Sequence, residues 1–224
     1  MLLAAHRSRH ETLTEWLDAS IRFEPDPDDR DAALDLYGDA APKPPYDAAF
    51  LDRYRTAQVA RNRRITTWVK DKLAVLQAQG RRDEEFGFVV HGTMADPRWL
   101  DATIDPNDRH AGWCYLGDPR VVNMSPAGLA RFSTLRSWLS QWSYDDARAD
   151  GVACARQVSV PVLLISNSAD DACTPDQAQS LFDAVAHDDR ELVTITGANH
   201  YYFGQPDKAA QAVQICRDWI VRHA

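Results

Sequence analysis

The strongest constraint on the fold of this chain is an alternation of strand and helix patterns in residues 158–224. Val158 to Ser166 is a continuous apolar run rich in β-branched residues, which is typical of a parallel strand covered on both faces. Pro175 to Ala186 has a helical pattern, Leu192 to Ile195 a strand pattern, and Pro206 to His223 a second helical pattern. This order predicts βαβ units and a parallel sheet, so we predict an α/β fold.

A short apolar run at residues 2–5 is the candidate for a further core strand. The segment Met1-Leu-Leu-Ala-Ala5 is too short for the apolar region of a secretory signal, and no turn or helix precedes it. We therefore expect a core strand whose beginning lies outside this sequence. With it, the parallel sheet has about three strands, which is few for an open sheet covered on both faces.

Residues 9–156 are predicted to be mainly helical. Apolar residues spaced by three or four predict helices at Glu11–Ile21, Asp47–Gln79, Pro126–Trp142 and Asp146–Cys154. Strand-like patterns at Phe86–His91 and Gly112–Leu116 predict a small hairpin or strand pair. Proline and acidic residues make Glu24–Arg30 irregular by prediction.

Two surfaces of the predicted helices follow from their side-chain patterns. The basic run Arg61–Arg64 lies in the longest helix, which either breaks near this run or presents it as a solvated face. In the last helix, Ala209, Val213, Cys216 and Ile220 predict one apolar stripe.

Charge and composition exclude several classes of function. The formal net charge of −8 disfavours nucleic-acid binding, which requires a basic surface. No apolar run approaches the roughly 20 residues of a membrane span, so we expect no membrane partner. The four cysteines form no CxxC pair, which argues against a structural zinc site or a disulfide framework and predicts a reducing compartment, the cytoplasm.

An acid and a histidine follow the two late strands. Asp170 and Asp171 come in the turn after the first strand, and His200 ends the segment Gly197-Ala-Asn-His200 after the second. An acid and a histidine on consecutive strand ends are two of the three groups of a nucleophile–base–acid triad. Each residue also has a plain structural explanation, since aspartate is common in turns and near helix starts.

These segments resemble the C-terminal part of α/β-hydrolases. That family places its acid after a late strand in patterns such as G-x-D-D-x-x-x-P, which Ser168-Ala-Asp170-Asp171-Ala-Cys-Thr-Pro175 resembles, and its histidine after the final strand in G-x-x-H form. The resemblance implies that His200 is the general base and that Asp171, four residues before the proline, is the acid. Asp170 is the alternative if the turn is shifted by one residue.

The resemblance also implies a domain organisation and a chemistry. Residues 1–8 would be the strand after the nucleophile helix, 9–156 a helical cap inserted into the fold, and 157–224 the core that carries the acid and the histidine. The expected reaction is hydrolysis of a small-molecule ester or related bond. No metal ion and no organic cofactor are implied.

The nucleophile of this family is missing from the sequence. The family carries its serine in a G-x-S-x-G elbow, and no such motif occurs here. Its nearest imitation lies at Asn123–Gly128, where Ser125-Pro126 is better interpreted as a helix N-cap. The chain is thus predicted to be the C-terminal part of a serine-type hydrolase, with a complementary N-terminal chain or a homo-oligomer as expected partner.

Two alternatives to this prediction stay open at the level of sequence. The chain is a non-catalytic binding or interaction module derived from the fold, or it is an independent hydrolase whose nucleophile is Ser125 or Cys154. Three further residues are candidates for substrate contact: His6 at the end of a predicted core strand, and Tyr201 and Tyr202 next to the predicted base. Tyr201 and Tyr202 are as well explained by core packing.

Overall fold

The computed structural model of the chain describes residues 1–224. Its strands are β1 (Leu2–Leu3), β2 (Ile21–Phe23), β3 (Asp26–Arg30), β4 (Gly87–Val89), β5 (Phe132–Thr134), β6 (Val162–Asn167) and β7 (Arg190–Ile195). Its α-helices are α1 (Arg9–Trp16), α2 (Ala48–Ala78), α3 (Pro97–Leu100), α4 (Pro119–Val122), α5 (Leu135–Ser137), α6 (Gly151–Ala155), α7 (Pro175–Ala184) and α8 (Pro206–Arg222). A π-helical segment, Trp138–Trp142, follows α5.

The chain divides into two compact units. The first unit contains Met1–Ser8, Ala102–Leu116 and Asp150–Ala224, and the second contains Arg9–Asp101 and Gly117–Ala149. This division differs from the predicted domains, because residues 102–116 and 150–156 belong to the first unit rather than to the inserted segment.

The first unit is built on a parallel sheet of three strands in the order β1-β6-β7. Leu2 of β1 pairs with Leu164, and β6 pairs with β7 from Val162↔Arg190 to Asn167↔Ile195. Every residue of the central strand β6 is buried. The predicted α/β class with about three parallel strands is therefore confirmed.

Alternate residues of β6 pack into two separate clusters. Leu163 and Ile165 lie with Trp219 of α8, whereas Val162 and Leu164 lie with residues of α7 that include Leu181. Burial of each such aliphatic side chain contributes about 1.5–3 kcal/mol. Because both faces of β6 are covered, its sequence is apolar throughout instead of alternating with polar residues.

The apolar stripe predicted on α8 is not the face that α8 buries. The buried residues of this helix are Ala212 and Trp219. Val213 and Ile220 of the predicted stripe are 68% and 52% exposed, and with Leu3 of β1 they line an open apolar groove. Ala209 and Cys216 line the same groove, so the predicted stripe is present, as an uncovered surface next to the sheet.

The long helix α2 organises the second unit. It begins after Asp47, whose Oδ1 accepts a hydrogen bond of 2.7 Å from the Phe50 N–H, and it ends before Gln79 as predicted. It runs unbroken through Arg61–Arg64 and buries a stripe that includes Tyr54, Ile65 and Val69.

No helix of the chain combines the length and the apolar composition that a membrane span needs.

The basic run of α2 is not a uniformly solvated face. The Arg63 and Arg64 side chains are 56% and 42% exposed, but that of Arg61 is only 1% exposed. Burial of Arg61 contradicts the surface interpretation, and the reason is a set of acceptors that surrounds its guanidinium group.

Two local predictions for the second unit are wrong. Strand β4 pairs with β5, in the register Gly87↔Thr134, and not with Gly112–Leu116. The helix predicted for Pro126–Trp142 is replaced by β5, α5 and the π-helical segment. Gly128 and Ala130 adopt φ values of +157° and +55°, which no residue of a right-handed helix adopts, so a helix cannot start before β5.

Smaller differences affect the element boundaries. The predicted helix at Glu11–Ile21 ends at Trp16, and Ile21 begins β2. Strand β2 forms an antiparallel hairpin with β3, so Glu24–Arg30 is not irregular as predicted. The predicted helix at Asp146–Cys154 is shorter and begins at Gly151.

Asp96 is a buried carboxylate in the second unit, bound by two arginines. Its Oδ1 lies 2.7 Å from Arg55 Nη2, and its Oδ2 lies 2.9 Å from Arg98 Nε. Burial alone would raise the pKa of Asp96, but the two guanidinium groups outweigh it and lower the pKa to about 2 from the ordinary 3.8. The ion pairs therefore stabilise the folded state above about pH 4, and this stabilisation is lost as the pH falls through about 2.

We expect Asp96→Asn to lower the free energy of unfolding by about 2 kcal/mol at pH 7. Asparagine keeps the N-cap of α3, so the loss isolates the charge. Urea unfolding at several pH values should show the difference from the wild type shrinking between pH 4 and pH 2. A difference that stays constant over this range would contradict the ion-pair explanation, and Asp145→Asn, at an exposed pair with Arg63, serves as control.

Candidate active site

The candidate site lies where two neighbouring parallel strands end. Strands β6 and β7 end at Asn167 and Ile195, and the carboxyl ends of parallel strands lie at the same edge of a sheet. The turns that follow are joined by backbone and side-chain hydrogen bonds: Ala169 N donates to Ala198 O at 3.0 Å, and Asn167 Nδ2 donates to Asn199 O at 3.0 Å. Residues 168–173 and 197–203 are thereby held against each other.

A carboxylate and an imidazole meet between these turns. His200 Nδ1 lies 3.1 Å from Asp170 Oδ1 and 3.0 Å from Asp170 Oδ2. The Asp170 side chain is fully buried, and the His200 side chain is 11% exposed. Asp170 Oδ1 also accepts hydrogen bonds from the backbone N–H groups of Ala172 (2.8 Å) and Cys173 (2.7 Å), which fix the orientation of the carboxylate.

The carboxylate that contacts His200 Nδ1 is that of Asp170, the alternative acid, whereas the resemblance prefers Asp171. The Asp170 N–H donates to Asn167 O at 3.1 Å, so the turn closes one residue earlier than the spacing to Pro175 implied. The geometry therefore favours Asp170 over Asp171 as the partner of His200, and the catalytic role of either acid stays a prediction.

Asp171 has a different electrostatic environment. Burial, and next the negative charge of Asp170, raise the pKa of Asp171 to about 7, against the opposing effect of His200. Asp171 therefore resists ionisation, because its burial and the adjacent carboxylate both disfavour its charged form.

The turn before His200 depends on a glycine. Gly197 has a φ of +68°, which side-chain-bearing residues rarely adopt. Its N–H donates to Ser168 Oγ at 2.7 Å, and its carbonyl accepts from Gln205 Nε2 at 2.8 Å. The G-x-x-H spacing therefore reflects a left-handed residue at the start of the turn that presents His200.

Aromatic rings surround the imidazole. The ring centroid of His200 lies 4.4 Å from that of Tyr201, 5.5 Å from that of Tyr115 and 6.1 Å from that of His6. Tyr201 is 63% exposed. The hydroxyl of Tyr202 donates to Asn167 Oδ1 at 3.1 Å, which ties this residue to the end of β6.

Two residues of the site were not predicted from the sequence. Cys173 Sγ lies 3.2 Å from His6 Nδ1, although the sequence interpretation treated the cysteines as small apolar residues. Tyr115 is brought to His200 from residues 102–116, which carry no motif. Burial and the neighbouring Tyr201 raise the pKa of Tyr115 above its usual range. Cys173 falls inside the turn that the resemblance identified, so its position was the available signal.

A loop formed by residues 104–109 is hydrogen-bonded to the turn that carries Asp170. Asn107 Nδ2 donates to the Asp170 carbonyl at 2.7 Å, and Asp108 Oδ2 accepts from Ser168 Oγ at 2.5 Å. Arg109 is buried and donates to the Asp105 carbonyl and to Asn107 Oδ1. These contacts position the turn and therefore Asp170.

The two alternative nucleophiles lie elsewhere in the chain. Ser125 belongs to the second unit, where its Oγ donates to Ala127 O at 2.9 Å. The helix predicted to begin at Ser125-Pro126 does not form. Cys154 is an exposed residue of α6.

Comparison with known proteins gave two solved structures. The crystal structure of a monoacylglycerol lipase from Paleococcus ferrophilus is 18% identical with a TM-score of 0.38, covering 68% of this chain and 52% of the lipase chain. BpoC of Mycobacterium tuberculosis H37Rv, assigned as a non-heme bromoperoxidase, is 22% identical with a TM-score of 0.27, covering 38% of this chain and 31% of its own. This chain thus spans about half the length of the first and about a third of the second. No protein-family model and no curated protein match the chain.

Proposed function

We propose that this chain supplies the acid and the general base of a serine-type hydrolase that acts on a small-molecule ester or related bond. The observation that carries the proposal is the contact of Asp170 with His200 Nδ1 at the carboxyl ends of two adjacent parallel strands. The order of acid and then histidine along the chain, and the resemblance of both turns to α/β-hydrolases, support it.

The roles of the two residues follow from the geometry. With its Nδ1–H donated to Asp170, the imidazole has its other nitrogen, Nε2, as the acceptor of a proton. His200 would take the proton of a serine hydroxyl as that oxygen attacks the ester carbonyl, and would then deliver it to the leaving alcohol. Asp170 would hold the imidazole in this tautomer and stabilise the imidazolium that forms.

Substrate contact is proposed for residues around the imidazole. The exposed Tyr201 ring and the His6 ring are candidates for the walls of the site. Tyr202 is a candidate for supporting those walls, since its hydroxyl is engaged by Asn167. We also propose the cap role for residues 9–156 and a cytoplasmic location.

The nucleophile is proposed to come from a segment that carries a G-x-S-x-G elbow, encoded in frame with this sequence or on a separate chain. Strand β1 pairs with β6 along one edge only, and its Leu2 and Leu3 are 37% and 43% exposed. The adjoining groove exposes Val213 and Ile220 of α8. A parallel strand with its covering helix would pair with this edge and bury this groove. A second copy of this chain is the alternative occupant.

The proposal is tested by supplying that segment. Reading the DNA upstream of the Met1 codon, or of neighbouring genes, should reveal an elbow-encoding segment, and its addition should yield hydrolysis of a short aryl ester. We expect hydrolysis to fall by about 10⁴-fold in His200→Ala, because the general base is lost. The 224-residue chain alone is the control and is expected to be inactive. Unchanged hydrolysis in His200→Ala would overturn the assignment and favour the non-catalytic binding module.

A further inference from the structure

A sulfur atom lies within the candidate site, next to the acid and the imidazole. Cys173 is 2% exposed and follows Asp170 in the same turn. One ligand atom from each of Asp170, Cys173 and His200 lies within 4.8 Å of the others. An oxygen, a nitrogen and a sulfur donor therefore lie in one small cluster, and hydrolysis by a serine nucleophile does not require the sulfur.

The three donors are held in place by different parts of the fold. The Asp170 carboxylate is fixed by the backbone N–H groups of Ala172 and Cys173, and His200 is presented by the turn that begins at Gly197. The Cys173 sulfur lies 3.2 Å from Nδ1 of His6, which follows strand β1. Three strand ends thus contribute to one cluster.

The distances fit a small tetrahedral ion. Zinc bonds of about 2.0 Å to nitrogen or oxygen and about 2.3 Å to sulfur place neighbouring ligand atoms roughly 3.3–3.5 Å apart. The 3.0 Å contact between Asp170 and His200 is slightly shorter than this spacing, and the three ligand atoms lie within 4.8 Å of one another. Side-chain movements of about 1 Å would therefore bring all three atoms to the spacing that zinc requires. Thiolate, imidazole and carboxylate together are a donor set that selects zinc-class ions over magnesium or calcium.

We propose that Asp170, Cys173 and His200 bind a zinc-class divalent cation and leave the fourth coordination position open. The thiol loses its proton to solvent as the sulfur–metal bond forms, so one proton is released with the sulfur ligand. His6 is a positioning residue, because a hydrogen bond from its ring to the sulfur orients the thiolate, as outer partners of metal ligands do. The burial of Cys173 favours metal binding over a role as a nucleophile, which has to reach a substrate.

Metal binding and the proposed hydrolysis exclude each other. A bound cation engages the same carboxylate and imidazole that the acid–base mechanism needs, so the ion would act as an inhibitor of that mechanism. The site itself does not depend on the proposed function, since metal binding is measured without any substrate.

The test is a Co²⁺ titration of the metal-free, full-length chain, followed by absorption spectroscopy. We expect about one Co²⁺ per chain, a thiolate-to-cobalt charge-transfer band and the visible bands of tetrahedral cobalt, all removed by competing Zn²⁺. Cys173→Ser and Asp170→Asn should each weaken Co²⁺ binding by about 100-fold or more, since loss of a ligand costs at least as much as loss of an outer partner. Cys154→Ser, which removes an exposed thiol of α6, is the matched control and should leave the spectrum unchanged.

Variants of His6 separate positioning from general structure. His6→Phe should weaken Co²⁺ binding by about 10–100-fold, whereas His6→Gln, which retains an N–H donor, should restore most of the affinity. Circular dichroism verifies that each variant is folded. A titration without a charge-transfer band, or a band that persists in Cys173→Ser, would overturn the proposal. Neither result would bear on the hydrolase assignment, which is measured by ester turnover.

Discussion

Replacement of Asp170 by asparagine is expected, under the proposed function, to lower kcat/KM for ester hydrolysis by about 10⁴-fold. Asparagine preserves the shape of the side chain, but its amide no longer offers two carboxylate oxygens to His200 Nδ1, which lies 3.0 and 3.1 Å from them. The imidazole then loses both the bond that selects the Nδ1–H tautomer and the charge that stabilises the imidazolium. Ester hydrolysis by this chain together with the elbow-bearing segment provides the measurement.

The neighbouring Asp171 supplies the matched control for this experiment. Asp171→Asn removes a carboxyl group from the same turn but leaves the contact between Asp170 and His200 intact, so we expect a change of about tenfold or less. The Nδ1 proton of His200 should be visible at low field in NMR spectra of the wild type and of Asp171→Asn, and absent in Asp170→Asn. A larger loss of activity in Asp171→Asn than in Asp170→Asn would identify Asp171 as the acid.

The choice between Asp170 and Asp171 shows which features of this chain can be predicted from its sequence. The strands β6 and β7 and the helices α7 and α8 were predicted because their patterns are local: one apolar run, two helical spacings, and prolines at the first turns. Which of two adjacent acids contacts the imidazole depends instead on the conformation of the turn, in which Asp170 N donates to Asn167 O. No spacing rule reports that bond.

Contacts between segments distant in sequence explain the other predictions that were wrong or missing. Strand β5 pairs with β4 across more than 40 residues, and its neighbours Gly128 and Ala130 take positive φ values that interrupt a helical pattern. Tyr115 and the loop that holds Asn107 reach the site from a segment without a motif. Side chains of this kind are placed by tertiary packing, which overrides local propensity.

Arg61 has a structural role that its sequence context does not indicate. Its replacement is expected to be the most destabilising change in the second unit. Its Nη1 donates to the carbonyls of Asp18 (3.0 Å) and Gly92 (3.1 Å), and its Nη2 donates to the carbonyl of His91 (2.7 Å). Nε and Nη2 also bind the two carboxylate oxygens of Glu24, at 3.0 and 2.7 Å. Every donor of the guanidinium fork therefore has an acceptor, which is why a charged side chain is tolerated at 1% exposure.

We expect Arg61→Met to lower the free energy of unfolding by about 4 kcal/mol, because the carbonyls of Asp18, His91 and Gly92 and the carboxylate of Glu24 each lose a charged, buried donor. Glu24 keeps its contact with Arg64, and the Gly92 carbonyl keeps the N–H of Asp18. Arg61→Lys should recover little, since a single ammonium group cannot replace the planar fork. Urea unfolding followed by tryptophan fluorescence reports on this unit, which contains Trp16, Trp68, Trp99, Trp138 and Trp142. Arg63→Met, which breaks an exposed ion pair with Asp145, is the control and should cost less than about 1 kcal/mol. Equal losses in the two variants would mean that the acceptors around Arg61 are satisfied by solvent, and that its burial does not determine the stability of α2.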